Sequence, residues 1–343
     1  MTDTSQGLKP WIARVSGGAT LDADEASRAF DVIMSGDATP AQLGGFLMAL
    51  AVRGETVAEL TGGARSLRSR MVRMTAPDGA MDIVGTGGDG KGTLNISTAT
   101  ALVVAGCGVT VAKHGNRAAS SRSGAADVLS ALGVDLAADH ETVQRAIDDA
   151  GIGFMLAPRH HGAMRHVMPA RQELAVRTIF NLLGPLANPA RVGLYLMGVA
   201  AQEWAEPFAR VLRELGARSA WVVHSADGCD ELTLTSDNHV VILDNGTIRT
   251  TRVSAADAGL EAAPFRAIAG GSPEENASAM TGLLEGEPGA FRDTVLLNAA
   301  ASLCVAKRAA TLSEGVALAR ASIDNRAARQ TLDRLVAITG GNA

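Results

Sequence analysis

Residues 81–92 read MDIVGTGGDGKG, and this stretch determines the expected class of fold. Met81 to Val84 form a short apolar run that is typical of a buried strand. The glycine-rich segment 85–92 follows, and the small residues from Ser97 to Ala105 predict a helix. Backbone amides exposed in such a turn, next to a helix N-terminus, can bind phosphate oxygens. The pattern therefore indicates an α/β protein with a candidate phosphate-binding turn.

Predicted strands and helices alternate further along the chain. The strands are Val109–Ala112, Ile152–Leu156, Leu194–Val199 and Ala220–His224, and the helices between them include Ala125–Leu132 and Trp204–Leu215. Such alternation predicts a mostly parallel central sheet covered by helices. Apolar and polar residues then alternate over Glu231–Thr235 and Val240–Leu243, which predicts two more strands. Asp244-Asn245-Gly246 after them predicts a hairpin turn.

The first 75 residues carry only helical patterns. Thr39-Pro40-Ala41-Gln42 and Thr56-Val57-Ala58-Glu59 are capping boxes, each followed by apolar residues at helical spacing. The pattern changes at Pro77-Asp78-Gly79. The C-terminal part returns to helices, one of which begins at the capping box Ser272-Pro273-Glu274-Glu275. We therefore expect a small all-helical domain over residues 1–77 and a large α/β domain over 78–343.

The composition bounds the class of function. The 343 residues are 47% hydrophobic and 20% charged, which is the balance of a globular protein. A formal charge of −5 gives no global attraction for nucleic acid or an anionic membrane. Three widely spaced cysteines do not suggest a disulfide framework, and no apolar signal segment follows Met1. We expect a cytoplasmic protein that binds neither nucleic acid nor membrane.

The glycine-rich turn fits three templates incompletely. The dinucleotide-binding pattern GxGxxG fits Gly85, Gly87 and Gly90, but Lys113 ends the next strand where an acidic residue is expected. The P-loop pattern fits through Lys91 and then fails, because Gly92 replaces the hydroxyl residue that binds magnesium. A plain tight turn is the third reading. The turn alone leaves these readings open.

Two other loops also follow predicted strands. Residues 113–124, KHGNRAASSRSG, combine three cations with serines and glycines, and Asp230-Glu231 supply paired carboxylates. Ligands of open α/β sheets bind outside the carboxyl ends of the strands, so these loops and the glycine-rich turn should share one crevice. Cations suit a ligand with several phosphates, and carboxylates with phosphate oxygens suit magnesium. His160, His161 and His166 lack the spacing of a metal motif and are interpreted as pocket-wall or helix-surface residues.

Several motifs together resemble the anthranilate phosphoribosyltransferase family. They are GTGGD at 85–89, NIST at 95–98, KHGNRAASSRSGAADVL at 113–129, RTIFNLLGPLANP at 177–189 and the Asp230-Glu231 pair. The resemblance implies transfer of phosphoribose from phosphoribosyl pyrophosphate (PRPP) to the amine of anthranilate. It also implies a homodimer, two Mg²⁺ ions per subunit, and a contribution of about residues 165–187 to the small domain. The sequence differs from common family members at Leu94, Gly162 and Ala175.

The resemblance also assigns roles to residues. Lys113 would be catalytic; Gly85, Asn116 and Arg171 would contact anthranilate; Ser97, Asp230 and Glu231 would hold the metal. The residues implied to contact PRPP are Gly85, Gly88, Asp89, Thr93, Asn95, Ile96, Ser97, Thr98, Lys113, His114, Gly115, Asn116, Arg117, Ala118, Ala119, Ser120, Ser121 and Ala125. Alternatives from other classes are a pyrimidine-nucleoside-phosphorylase-like enzyme, a nucleic-acid-binding paralogue and a P-loop ATPase.

Overall fold

The computed structural model describes residues 7–118 and 122–340. Four helices form the N-terminal part, α1 Lys9–Ser16, α2 Ala23–Ser35, α3 Pro40–Arg53 and α4 Val57–Arg70. Both predicted capping boxes are confirmed. The Thr39 and Thr56 hydroxyls accept hydrogen bonds from the N–H groups of Gln42 and Glu59, which fixes where α3 and α4 begin.

A seven-stranded sheet forms the centre of the remaining chain. Its strands are β1 Met81–Gly85, β2 Val111–Gly115, β3 Ile152–Leu156, β4 Leu194–Gly198, β5 Ser219–Ser225, β6 Asn238–Asp244 and β7 Thr247–Val253. The spatial order is β3-β2-β1-β4-β5-β6-β7. Strands β1 to β5 are parallel, and β6 pairs antiparallel with both β5 and β7. The predicted mostly parallel sheet and the hairpin at Asn245-Gly246 are confirmed.

Helices cover the sheet and complete the chain. They are α5 Ile96–Gly106, α6 Ala125–Ala131, α7 His140–Arg145, α8 Ala157–His160, α9 Met168–Leu174, α10 Ile179–Leu183, α11 Ala205–Glu214, α12 Pro273–Leu284, α13 Ala290–Val305, α14 Leu312–Asp324 and α15 Ala327–Thr339. None of the helices in the described residues has the length and apolar character needed to cross a bilayer.

Side chains on the two faces of the sheet enter two different hydrophobic cores. In β4, Leu194 and Leu196 pack with α5 and α13, whereas Tyr195 and Met197 pack with the N-terminal helices. This alternation is the period-two pattern of a strand that is covered on both sides. Residues of α10 share the second core with α1 to α4, so the segment before β4 packs against the helical part.

Two strand predictions are wrong: one predicted strand does not form, and another has different end points. Glu231–Thr235 is not a strand, because side chains satisfy its backbone: Asn298 Oδ1 accepts from Leu232 N at 3.2 Å, and Asn238 Oδ1 accepts from Thr233 N at 2.9 Å. The second strand runs from Val111 to Gly115 rather than ending at Ala112. Lys113 therefore belongs to β2, where its backbone pairs with β3, and not to the loop.

Candidate active site

The order of the strands creates a crevice at the carboxyl edge of the sheet. From β1 the chain proceeds to β2 and β3 on one side, then crosses to β4 and β5 on the other. Such a topological switch point is where open α/β sheets bind ligands. The glycine-rich turn after β1, the cationic loop after β2 and the acidic loop after β5 all lie at this edge, as the sequence predicts.

The glycine-rich turn and the acidic loop are joined by hydrogen bonds. The Gly87 N–H donates to Asp230 Oδ2 at 2.8 Å, and the Asp230 N–H donates to Asp89 Oδ2 at 3.4 Å. Gly87 and Gly88 have φ of 63° and 76°, values at which residues with a Cβ are strained. The glycines therefore allow the turn to fold onto Asp230.

Two facing glycines make room for Asp230. Gly85 and Gly198 are opposite one another in the β1–β4 register. A Cβ on Gly198 would overlap the carbonyl of Asp230 and lie 2.5 Å from its carbon, and one on Gly85 would overlap the carboxylate and lie 3.1 Å from Cγ. The carboxylate pair is thus packed directly on the ends of the two central strands. Sequence reasoning missed Gly198, whose only signal was a glycine at a predicted strand end.

The acidic residues form an electronegative cluster. Glu231 Oε1 accepts a hydrogen bond from the Ser97 N–H at 3.2 Å, at the N-terminus of α5. Burial and repulsion from Asp89 raise the pKa of Asp230, and burial and repulsion from Asp230 raise the pKa of Glu231. Ligand atoms of Asp89, Cys229 and Asp230 lie within 4.8 Å of one another. Burial raises the pKa of the Cys229 thiol, so it stays protonated and the carboxylates are the donors.

This donor set fits a divalent cation. Oxygen ligands are what Mg²⁺ prefers. Burial and repulsion from neighbouring carboxylates raise the pKa of both carboxyls, and a bound cation would favour their charged forms. Ser97 is the second residue of α5, and its N–H is the one bonded to Glu231. Ser97, Asp230 and Glu231, the three residues implied to hold metal, are therefore brought together.

Lys113 lies buried beneath the crevice with a buried carboxylate. Its ammonium donates to the carbonyl of Ile83 in β1, and burial lowers its pKa while Asp82 and Glu231 oppose that effect. Asp82 accepts from the His114 N–H at 3.2 Å and from Asn188 Nδ2 at 2.7 Å. Burial raises the pKa of Asp82 to about 6. β2 continues through Lys113 because its backbone pairs with β3 there and Asp82 accepts from the next N–H, while the Asp82 carboxylate electrostatically favours the lysine charge.

The loop after β2 is fastened to its neighbours by polar side chains. Asn95 Nδ2 donates to the carbonyl of Ser123 at 3.3 Å, and Asn276 Nδ2 donates to Asn95 Oδ1 at 2.8 Å. Asp127 Oδ2 accepts from the Ala118 N–H at 2.9 Å. The predicted contact residues Ala119, Ser120 and Ser121 lie outside the described residues. Asn276 and Asp127 are supports that the sequence patterns did not reveal.

The two arginines of this loop are paired with acidic side chains. Arg117 Nη1 lies 3.0 Å from Asp127 Oδ1, and Arg122 Nη2 lies 3.7 Å from Glu275 Oε2. In this conformation the charges of Arg117 and Arg122 are therefore partly offset by acidic neighbours. Of the three cations in residues 113–124, Lys113 alone points into the sheet edge, and the two arginines lie on the rim.

Other implied contact residues fall into two groups. Thr98 Oγ1 is buried beside the turn and has no partner among the described residues, whereas the Ile96 side chain belongs to the hydrophobic core. Thr93 forms an isolated β-bridge with Ala269, and the Thr93 side chain is half-buried. Gly85, Asp89 and Asn95 take part in the contacts given above. Gly88, Gly115, Asn116 and Ala125 also lie in or next to the two loops.

His114 of β2 contacts His161, and Arg171 lies further along the chain in α9. His161 Nε2 lies 3.2 Å from His114 Nε2, and burial lowers the pKa of both rings, so they are neutral. Arg171 lies in α9 with its Cζ 5.8 Å from the centre of the Phe180 ring. Among the described residues no ion pair is recorded for Arg171. His160 Nδ1–H donates to the carbonyl of Val72 at 2.9 Å, and the ring is a packing residue.

Comparison with known proteins identifies the class of fold and site. The α/β domain of the glycosyl transferase family matches residues 77–329, and the helical bundle domain of the same family matches residues 9–71. Fold and site therefore define a glycosyl transferase built from these two parts.

Full-length relatives narrow the class. Anthranilate phosphoribosyltransferase of Parvibaculum lavamentivorans is 59% identical over 99% of each chain, and that of Rhodospirillum rubrum is 58% identical over 99% of this chain and 98% of its own. The crystal structure of the Thermus thermophilus enzyme matches with a TM-score of 0.91 at 46% identity, covering 96% and 98%. The Saccharomyces cerevisiae enzyme in complex with PRPP and Mg matches at 0.89 and 27%, covering 98% of each chain. The chain belongs to the anthranilate phosphoribosyltransferase family.

Proposed function

We propose that the chain transfers the phosphoribosyl group of PRPP to the amine of anthranilate, a step of tryptophan biosynthesis. The products are N-(5-phosphoribosyl)anthranilate and pyrophosphate. The observation that carries the proposal is the hydrogen bond between the Gly87 N–H and Asp230 Oδ2, which joins an amide-lined turn to a carboxylate cluster above a buried lysine. This combination suits a doubly phosphorylated sugar better than an uncharged ligand.

In the reaction, the bond from C1 of ribose to pyrophosphate breaks and the amine nitrogen bonds to C1. The amine then loses a proton. Negative charge grows on the departing pyrophosphate, so groups that bind it more strongly in the transition state accelerate the step. Lys113 supplies fixed positive charge, which Asp82 and Glu231 favour electrostatically against the effect of burial. Backbone N–H groups of the glycine-rich turn are further hydrogen-bond donors, and they are in position before the reaction starts.

We propose that Mg²⁺ is the cofactor, with two ions per subunit. Ser97, Asp230 and Glu231 would hold it, and the carboxylate cluster supports this assignment because its charge needs a cation. When bound, the metal neutralises charge on the phosphate oxygens and so assists departure of pyrophosphate. The relative from Saccharomyces cerevisiae in complex with PRPP and Mg supports the same cofactor.

For anthranilate, we propose a pocket between the loop after β2 and α9. The Arg171 guanidinium would pair with the carboxylate of anthranilate through two hydrogen bonds, and Asn116 and Gly85 would contact the ring and the amine. The neutral pair His114 and His161 would form part of the wall. Neutral side chains in the wall suit an aromatic ring. Arg171 would then be the charged group of the pocket that recognises the carboxylate of anthranilate.

We also propose the domain division at residues 77 and 78, with about 165–187 joined to the small domain, and a homodimer located in the cytoplasm. The shared core of α10 with α1 to α4 supports this division. Val52 in α3 is 83% exposed and Met168 in α9 is 40% exposed, and these apolar side chains favour an interface on the helical part. Sedimentation of the purified protein tests the dimer.

The proposed reaction is tested by following the loss of anthranilate fluorescence after PRPP is added, with and without Mg²⁺. We expect turnover only when PRPP and the metal are both present. Phosphorolysis of thymidine or uridine is the parallel arm, because a phosphorylase would use the same crevice. Phosphorolysis without any change in anthranilate would refute the proposal in favour of that alternative.

A further inference from the structure

One exposed cation faces the glycine-rich turn without a partner. Arg177 lies in the connection between α9 and α10, and its guanidinium is placed directly against Gly88. A Cβ on Gly88 would be 3.5 Å from Arg177 Nη1, 3.6 Å from Cζ and 3.9 Å from Nη2. These three guanidinium atoms are thus at van der Waals distance from the place where a Gly88 side chain would start, so the end of the Arg177 side chain lies next to the turn.

Within the described residues, no acidic side chain neutralises the guanidinium of Arg177 through an ion pair. No ion pair or hydrogen bond is recorded for Arg177 among residues 7–118 and 122–340, whereas Arg117 and Arg122 are paired with Asp127 and Glu275. Glu55 is an acidic residue on which Arg177 has an electrostatic effect. Burial raises the pKa of Glu55, and the positive charges of Arg53 and Arg177 partly oppose that rise. Glu55 makes no salt bridge with Arg177. Within the described crevice, Arg177 is therefore a free guanidinium beside a free backbone donor, the Gly88 N–H.

The backbone around Arg177 is fixed, although its side chain is exposed. Ala175 ends α9 in the left-handed region, and buried Thr178 begins α10, with its N–H bonded to Asn181 Oδ1 at 3.0 Å. Phe180 anchors α10 in the core shared with the N-terminal helices. Arg177 consequently reaches across the crevice, from the helical wall to the turn of the α/β part.

We infer that Arg177 is a further substrate-binding residue that holds the pyrophosphate group of PRPP against the Gly88 amide. This inference rests on the proposed function. Pyrophosphate is the group assigned because Gly87, next to Gly88, is bonded to the metal-holding Asp230, so this part of the turn faces the leaving group. A guanidinium binds two phosphate oxygens with a geometry that a lysine cannot reproduce.

The direct test is calorimetry of inorganic pyrophosphate with Mg²⁺, using the wild type, Arg177→Ala and Arg177→Lys. We expect Arg177→Ala to weaken binding by roughly 10-fold to 100-fold, the scale of losing hydrogen bonds to a charged group, and Arg177→Lys to recover only part of it. In the fluorescence assay, the PRPP KM should rise similarly while the anthranilate KM stays within about two-fold.

Two control variants separate binding from a structural role. Arg165 is an exposed arginine of the preceding segment, and within the described part of the chain its one hydrogen bond is to the Gly162 carbonyl at 3.3 Å. Arg165→Ala should bind pyrophosphate like the wild type. Glu55→Gln should also leave pyrophosphate binding unchanged. Unaltered binding by Arg177→Ala, or an equal loss in Glu55→Gln, overturns the inference. Calorimetry needs no turnover, so pyrophosphate binding without transfer to anthranilate would contradict the proposed function alone.

Discussion

The packing of Asp230 on two facing glycines makes Gly198→Ala an informative perturbation. A Cβ at Gly198 would lie 2.5 Å from the Asp230 carbonyl carbon, where real Cβ contacts stay above 3.0 Å. To relieve the overlap, that carbon must move by about half an ångström and its oxygen by more. Catalytic geometry tolerates a displacement of only about half an ångström. Misplacement of about 1 Å can cost roughly 100-fold in rate, so we expect kcat/KM for PRPP to fall by about that factor, or about 2.7 kcal/mol.

The assay is the loss of anthranilate fluorescence at a series of PRPP and Mg²⁺ concentrations. Gly198→Ala should need more Mg²⁺ for half-maximal rate, because the displaced loop carries the carboxylates that we propose to hold the metal. Gly44→Ala is the matched control, since Gly44 lies in α3 with nothing within 4 Å of an added Cβ. Circular dichroism establishes that both variants fold. Folded Gly198→Ala with the kinetics and Mg²⁺ dependence of the wild type would refute the reasoning.

Four further predictions concern charge, selectivity and stability. Lys113→Ala should lower kcat/KM by roughly 100-fold in the fluorescence assay, the scale of one preorganised group, and wild-type kinetics would refute its role. Arg171→Ala should raise the anthranilate KM more than the PRPP KM, and a selective loss for PRPP would contradict that assignment. Ala175 has φ of 50°, so Ala175→Gly should raise the free energy of unfolding by about 0.5 kcal/mol in urea titrations; a lower midpoint would contradict the strain argument. Asp82 has a pKa raised to about 6, so the folded state holds a proton between about pH 4 and 6 that the unfolded state has lost. The stability of the wild type relative to Asp82→Asn should therefore fall by about 3 kcal/mol as pH rises through that window, and a flat difference would contradict the buried-carboxylate account.

The sequence predicted the fold class because its signals are local. Capping boxes, apolar runs and turns alternate in an order that parallel α/β proteins share, and the loops after β1, β2 and β5 then follow from topology. The extra strand at Glu231–Thr235 was predicted wrongly because an alternating pattern cannot reveal that Asn238 and Asn298 replace a neighbouring strand. Tertiary hydrogen bonds of that kind leave no periodic signal.

The site was predicted in part, for similar reasons. The glycine-rich turn and the Asp230-Glu231 pair lie in loops that follow strands, and Lys113 lies in β2 near its carboxyl end, where position alone suggests function. Asp82 was missed because a polar residue inside an apolar strand has no local sign that its partners are Lys113 and Asn188. The pairing of Arg117 with Asp127 depends on how the loop folds back onto α6, so a charge count could not show it.

Calorimetric titration of the folded protein with PRPP tests the central claim most directly. We expect saturable heat when Mg²⁺ is in excess and a much weaker response when it is chelated, because the carboxylates of Asp230 and Glu231 repel phosphate unless a cation lies between them. The glycine-rich turn and Lys113 should then bind one PRPP per chain. No heat from PRPP at excess Mg²⁺ would contradict the account.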